Sequence, residues 1–167
     1  ISLDDYLALL AKTITQVHKG SGRHKQSVAE SSFEAWTKYY RQDENSPNAI
    51  VSYYQKGSLV ALGLDLTIRA KTDGAKSLDD VMRHLWQHYG EGTGGVPEGA
   101  MPAIIKVATG VDVRREIARW AEGCEDVPLA KLLKPFGVTL ERKAGARITG
   151  LGIPEREFGA KEPTQGV

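Results

Sequence analysis

The chain has 167 residues, 41% of them hydrophobic and 26% charged, the proportions of a globular chain and not of a disordered one. Its 22 Lys and Arg nearly balance 21 Asp and Glu with no block of like charge, so composition points to neither nucleic acid nor an anionic membrane as partner. The longest strongly apolar stretch, 59–66, is too short to cross a bilayer and contains Asp65, and a single cysteine, Cys124, rules out an intramolecular disulfide and favours a cytoplasmic setting.

The first residue is Ile1 and helical pattern begins at once, so the sequence reads as part of a longer protein. Ser2 and Asp5 offer a capping box, and Leu3, Leu7, Leu10, Ile14 and Val17 recur at steps of four and three, which predicts a helix from Leu3 to His18. A basic, glycine-bearing connector over Gly20–Lys25 follows. Val28, Phe33, Trp36 and Tyr40 mark a second helix to Arg41, ahead of a loop at Asp43–Asn48. Tyr53–Ala70 reads as a helix apolar on nearly every side, hence centrally buried, with Asp65 and Arg69 paired on its one polar strip.

Ser77 and Asp80 cap a helix whose Leu78, Val81, Met82, Leu85, Trp86 and Tyr89 share one face up to Gly90. Gly90–Gly99 is rich in glycine and reads as a hinge loop. Pro102 opens a helix to Thr109, closed by Gly110. Asp112 is placed to cap another through Trp120, and Pro128 starts a short one to Lys134. Gly137–Arg142 alternates with period two and predicts a strand. The expected fold is mainly α, a helical unit of about seven helices over 1–143 with a short β segment near its end, and 144–167 as linker.

Few constellations invite chemistry. His84 and His88 stand four apart, the spacing that can hold zinc on a helix. The residue after the first histidine is Leu85, where a zinc hydrolase needs a glutamate to deprotonate metal-bound water. A closed structural zinc takes four protein ligands and no others are indicated, so the pair reads as structural, His88 bordering the apolar stripe and His84 lying with the polar residues. Cys124 lies among Glu122, Glu125 and Asp126, not in the electropositive surroundings of a catalytic cysteine. The glycines at 90–95 lack the Lys-Ser or Lys-Thr of a phosphate cradle. Tyr53 and Tyr54, opening the most apolar helix, could offer a phenolic donor in a dry cleft or simply pack with a wet hydroxyl.

The stretches Gln26–Trp36, Lys38–Asn45, Val51–Gly57 and Ser77–Arg83 resemble the glycyl aminopeptidase family, zinc metallopeptidases with a thermolysin-like catalytic domain and a C-terminal PDZ domain. The resemblance runs to about Lys143. It implies that 1–143 is the helical C-terminal part of the catalytic domain, beginning after the zinc-binding His-Glu-x-x-His and the next, Glu-bearing helix, neither of which this sequence contains. It implies zinc in the parent enzyme and none bound by this chain, and peptide or protein substrates with small N-terminal residues. The Tyr-x-Lys-Gly pattern at Tyr54, Lys56 and Gly57 is similar to that of aminopeptidases whose tyrosine stabilises the tetrahedral intermediate. That role passes to Tyr54, with Tyr53 as the other choice. Gly150–Ile153 resembles the start of a PDZ domain, truncated here. Alone, the chain is expected to hydrolyse nothing and to self-associate through apolar surface left uncovered on the Tyr53–Ala70 helix. The rival expectation is a non-enzymatic helical interaction module.

Overall fold

The computed structural model describes residues 1–90 and 94–141, and these are mainly helical, with no strand among them. In chain order they form α1 (Leu3–Lys19), α2 (Val28–Phe33), α3 (Ser46–Ala49), α4 (Tyr53–Lys71), α5 (Leu78–Tyr89), α6 (Met101–Thr109), α7 (Arg114–Trp120) and α8 (Leu129–Leu133). A 3-10 turn at Ser21–His24 follows α1, a π-helical turn at Ala35–Tyr39 follows α2, and a second 3-10 turn at Lys134–Phe136 follows α8. The mainly α expectation holds. The expected linker and PDZ-like start over 144–167 lie outside the described residues.

Local sequence explains where the helices begin and end. The Ser2 hydroxyl accepts the Asp5 amide and starts α1, Ser52 does the same for α4 through Gln55, and Ser77 with Asp80 forms a reciprocal capping box on α5. Gly110 ends α6 in the left-handed conformation at φ 77°, which glycine adopts without a Cβ penalty. Asp112 stands one residue before the N-cap of α7, yet its carboxylate still accepts the Arg114 amide at 3.1 Å.

Helix α4 is the central element, as its all-round apolar pattern requires. Val60, Leu64 and Ile68 pack on Val81, Ile104, Ile105, Val113 and Trp120 from α5, α6 and the α7 region. Leu59 and Leu66 pack on Ile14 and Val17 of α1 and Leu129 and Leu133 of α8. Two cores therefore share one helix, and the apolar surface expected to lie bare on α4 is covered by the chain's own elements. Gly63 lets α7 and the Val127 segment approach: an added Cβ would stand 2.5 Å from a Val127 methyl and 3.2 Å from the Trp120 ring.

Three expectations are corrected. The helix over Val28–Arg41 breaks at Glu34, where α2 ends and the chain closes a π turn, and the face marked by Phe33, Trp36 and Tyr40 turns outward, with Phe33 92% and Trp36 80% exposed. Likewise Met82 and Trp86, at the edge of the α5 stripe, stay exposed while Val81 is buried. The strand over Gly137–Arg142 does not form in its described part, 137–141. Val138 and Leu140 pack on the α1–α8 core as single extended chain, because a strand exists only with a partner to complete its ladder and none lies alongside among the described residues.

Candidate functional site

The residues that carry the resemblance converge on the N-terminal end of α4. Backbone at Val51, just before the helix, is clamped on both sides: its amide donates to the Gln26 side-chain oxygen at 3.1 Å, and the Ser31 hydroxyl donates to its carbonyl at 2.6 Å. Both side chains are buried. Ser52 then caps the helix and also meets the Tyr39 hydroxyl at 3.1 Å.

One turn in, Lys56 is only 2% exposed. Its ammonium donates to the carbonyls of Arg23 at 2.9 Å and Cys124 at 3.2 Å. Burial pulls its pKa below the ordinary lysine value, opposed chiefly by the nearby Asp126 carboxylate. Arg23 completes the knot, donating to Asp126 at 3.1 Å and to the carbonyls of His18 and Gly20 at 2.9 and 2.8 Å. The lysine of the Tyr-x-Lys-Gly pattern thus ties α4 to the first 3-10 turn and to the loop before α8, and Arg23 carries the tie on to the end of α1. Its role is to fix the helix that carries the tyrosines. Gly57 has ordinary space around it, the nearest atom to an added Cβ being a Val28 methyl at 3.6 Å.

Four tyrosines, Tyr39, Tyr40, Tyr53 and Tyr54, gather at this helix end. The rings of Tyr53 and Tyr54 lie 4.2 Å apart, Tyr39 packs edge-on against Tyr53 at 5.1 Å, and Trp36 leans on Tyr40 at 5.2 Å. The Tyr40 hydroxyl stands between two others, 3.1 Å from that of Tyr53 and 3.0 Å from that of Tyr54. These bonds split the phenols. Tyr53 is pushed above the usual phenol range, first by its bond to Tyr40, whereas Tyr54 is held below it, first by its own bond to Tyr40. Tyr39 packs its ring on that trio but turns its hydroxyl to Ser52, and with Ser52, Gln16, Lys19 and Asn48 it lines a polar, open cavity of about 390 Å³.

The sequence left Tyr54 as either a donor in a dry cleft or a packing ring with a wet hydroxyl; within this chain it is 60% exposed. Its solvent-facing hydroxyl is free to meet a group outside the chain. Tyr40 was missed as part of the site, although the doublets Tyr39-Tyr40 and Tyr53-Tyr54 were a legible signal. His84 and His88 do not converge as metal ligands: their rings stack at 4.0 Å, and the Nδ1 of His88 lies 2.9 Å from the His84 carbonyl. His84 is the half-buried member and His88 the exposed one, the reverse of the wheel placement. Among the described residues no group of three or more His, Cys, Asp or Glu could hold a metal, so the zinc implied by the resemblance does not fit these residues. No described helix is long and apolar enough to cross a membrane.

Comparison with known proteins relates this helical chain to peptidases. Residues 1–60, which include Tyr53, Tyr54, Lys56 and Gly57, match the model of the M61 glycyl aminopeptidases. The crystal structure of an aminopeptidase N family protein from Idiomarina loihiensis is 41% identical, superposes with a TM-score of 0.79 and covers 83% of this chain. The chain belongs to the M61 glycyl aminopeptidase family. It spans 24% of the length of that solved relative. No curated protein matches it.

Proposed function

We propose that this chain is the helical part of a zinc-dependent aminopeptidase, that it supplies Tyr54 to the cleft as a hydrogen-bond donor to the tetrahedral oxyanion, and that it is inactive alone. The observation that carries the reading is Tyr54, 60% exposed on a helix end that bonds from Gln26, Ser31 and Lys56 tie down. A donor fixed before the reaction stabilises developing charge without reorganising, the condition under which such bonds contribute most. Zinc, in this reading, is held by residues of the parent enzyme outside those described, and the substrates are peptides with small N-terminal residues.

The resemblance also supports a PDZ domain in the parent, and the single cysteine supports a cytoplasmic setting. Nothing in the charge balance supports nucleic acid or a membrane surface as partner. The exposed Phe33 and Trp36 support contact with further protein surface, and self-association of this piece when that surface is missing.

The test is Tyr54→Phe in the zinc-bearing parent enzyme. It keeps the ring and removes one donor, so kcat should fall by about 10²–10³ with KM nearly constant, because the bond strengthens only as charge develops. Tyr53→Phe should stay within a few-fold. Full activity in Tyr54→Phe would refute the assignment: a loss in Tyr53→Phe instead would move the role to Tyr53, and full activity in both variants would leave this helical part as scaffold only.

A further inference from the structure

We infer that Tyr40 is a positioning residue for Tyr54: its hydroxyl donates to the Tyr54 oxygen, so that the Tyr54 proton is left for an acceptor outside the cluster. This rests on the reading of Tyr54 as the oxyanion donor.

A phenol has one proton to donate and lone pairs to accept with. Tyr40, bonded to both Tyr53 and Tyr54, can donate to only one of them. Three orders satisfy both bonds: Tyr53 to Tyr40 to Tyr54, the reverse, or both neighbours donating to Tyr40, which would use up the Tyr54 proton and remove the lowering that Tyr40 exerts on the Tyr54 phenol. In the first the free proton ends on Tyr54, in the second on Tyr53. Tyr53 is half-buried between the rings of Tyr39 and Tyr54, whereas Tyr54 is 60% exposed. A phenol withdrawn from water gains more by donating to a fixed neighbour than one that can point its proton outward. The first order follows, and the opposite shifts of the two phenols agree with it: the acceptor's phenolate is stabilised and the donor's is not.

Ring packing holds the order in place. Trp36 and Tyr39 flank Tyr40 at 5.2 and 5.4 Å, so its hydroxyl is aimed before any ligand arrives. Tyr40 and Tyr53 are the titratable groups that act on Tyr54, with desolvation opposing them. The charges beside Tyr40 on its own turn, Glu34 and Lys38, pair with each other at 2.5 Å. A phenol that accepts one hydrogen bond is a stronger donor of the next, by roughly 10–30%. Applied to a donor effect of about 10²–10³ in rate, that share corresponds to roughly a two- to eightfold change in kcat.

Two measurements test this. Phenolate absorbance of this chain against pH should show one of its six tyrosines titrating below the others. That step should vanish in Tyr54→Phe and in Tyr40→Phe but persist, weakened, in Tyr53→Phe, because Tyr40 is the larger of the two influences that lower Tyr54 and Tyr53 the smaller. No low step in the wild type, a low step that survives Tyr40→Phe, or one that disappears in Tyr53→Phe would each overturn the inference. In the zinc-bearing parent, Tyr40→Phe should lower kcat about two- to eightfold at unchanged KM. If Tyr54→Phe shows its full loss while Tyr40→Phe matches the wild type, the inference falls and the reading of Tyr54 stands. If Tyr54→Phe is fully active, that reading falls and takes Tyr40's part in catalysis with it, whatever the titration shows.

Discussion

Lys56→Met is the sharpest probe of how the tyrosine-bearing helix is held. Methionine matches the lysine stem in length and suits the buried path, so packing is conserved and the change isolates the ammonium. What is lost is the donor to two carbonyls, those of Arg23 and Cys124, on segments about a hundred residues apart in sequence. A buried acceptor left without its donor costs about 1–3 kcal/mol. Removing a desolvated ammonium returns part of that, leaving a net loss of about 2–4 kcal/mol for the pair. In a chain of this size that corresponds to a melting point lower by roughly 5–15 °C. Urea unfolding followed by the fluorescence of buried Trp120 measures it directly. The pH dependence gives a second reading. Burial lowers the folded-state pKa of Lys56, so at alkaline pH the unfolded chain binds more protons there than the folded one. The advantage of wild type over Lys56→Met should therefore grow as pH rises from that lowered value toward the ordinary lysine value of about 10.4. A Lys56→Met chain as stable as wild type at neutral pH would refute the reasoning, showing that desolvation of the ammonium outweighs its two hydrogen bonds.

The glycines should behave in three different ways. Gly22→Ala places a Cβ 2.0 Å from the Ile50 carbonyl oxygen, backbone that cannot step aside, and should cost at least about 3 kcal/mol in thermal unfolding. Gly63→Ala meets only the Val127 methyl and the Trp120 ring at first approach and should cost about 1–3 kcal/mol. Gly57→Ala, in open helix, should stabilise the chain by about 0.5–1 kcal/mol; destabilisation there would mean that the space beside Val28 is tighter than 3.6 Å. Asp112, held at a pKa of about 2 by its bonds to Arg114, contributes stability that is present above the unfolded value of about 3.9 and lost as pH falls toward 2. Asp112→Asn should flatten the melting temperature over that interval, and an unchanged acid slope would show that the pair contributes nothing in water.

How far the sequence carried this reading depended on what each signal measures. Periodicity and caps located α1, α4, α5 and α6 because the apolar faces of these helices pack largely inside the chain. The same spacing misled at Phe33, Trp36 and Tyr40, since periodicity reports a face and not what covers it. Alternation at Val138 and Leu140 is likewise satisfied by two side chains reaching one core, with or without a ladder. At the site, a short motif led to Tyr54; the doublet Tyr39-Tyr40 was visible too, but no local pattern says that it meets the doublet Tyr53-Tyr54 of another helix. Lys56 was read as part of a signature and proved to be a buried tie, because nothing local says which loops a long side chain will reach.

The π turn at Ala35–Tyr39 has a consequence for heredity. Such turns arise when a helix absorbs one extra residue, and each residue advances an α-helix by about 100°. Removing a single codon between Glu34 and Tyr39 would let the turn close as ordinary α-helix and swing everything after it by that angle. Tyr40 would then leave the two phenols it joins, with every other residue unaltered. In aligning relatives of this chain, a one-residue gap in this short interval should weigh more heavily than many substitutions around it.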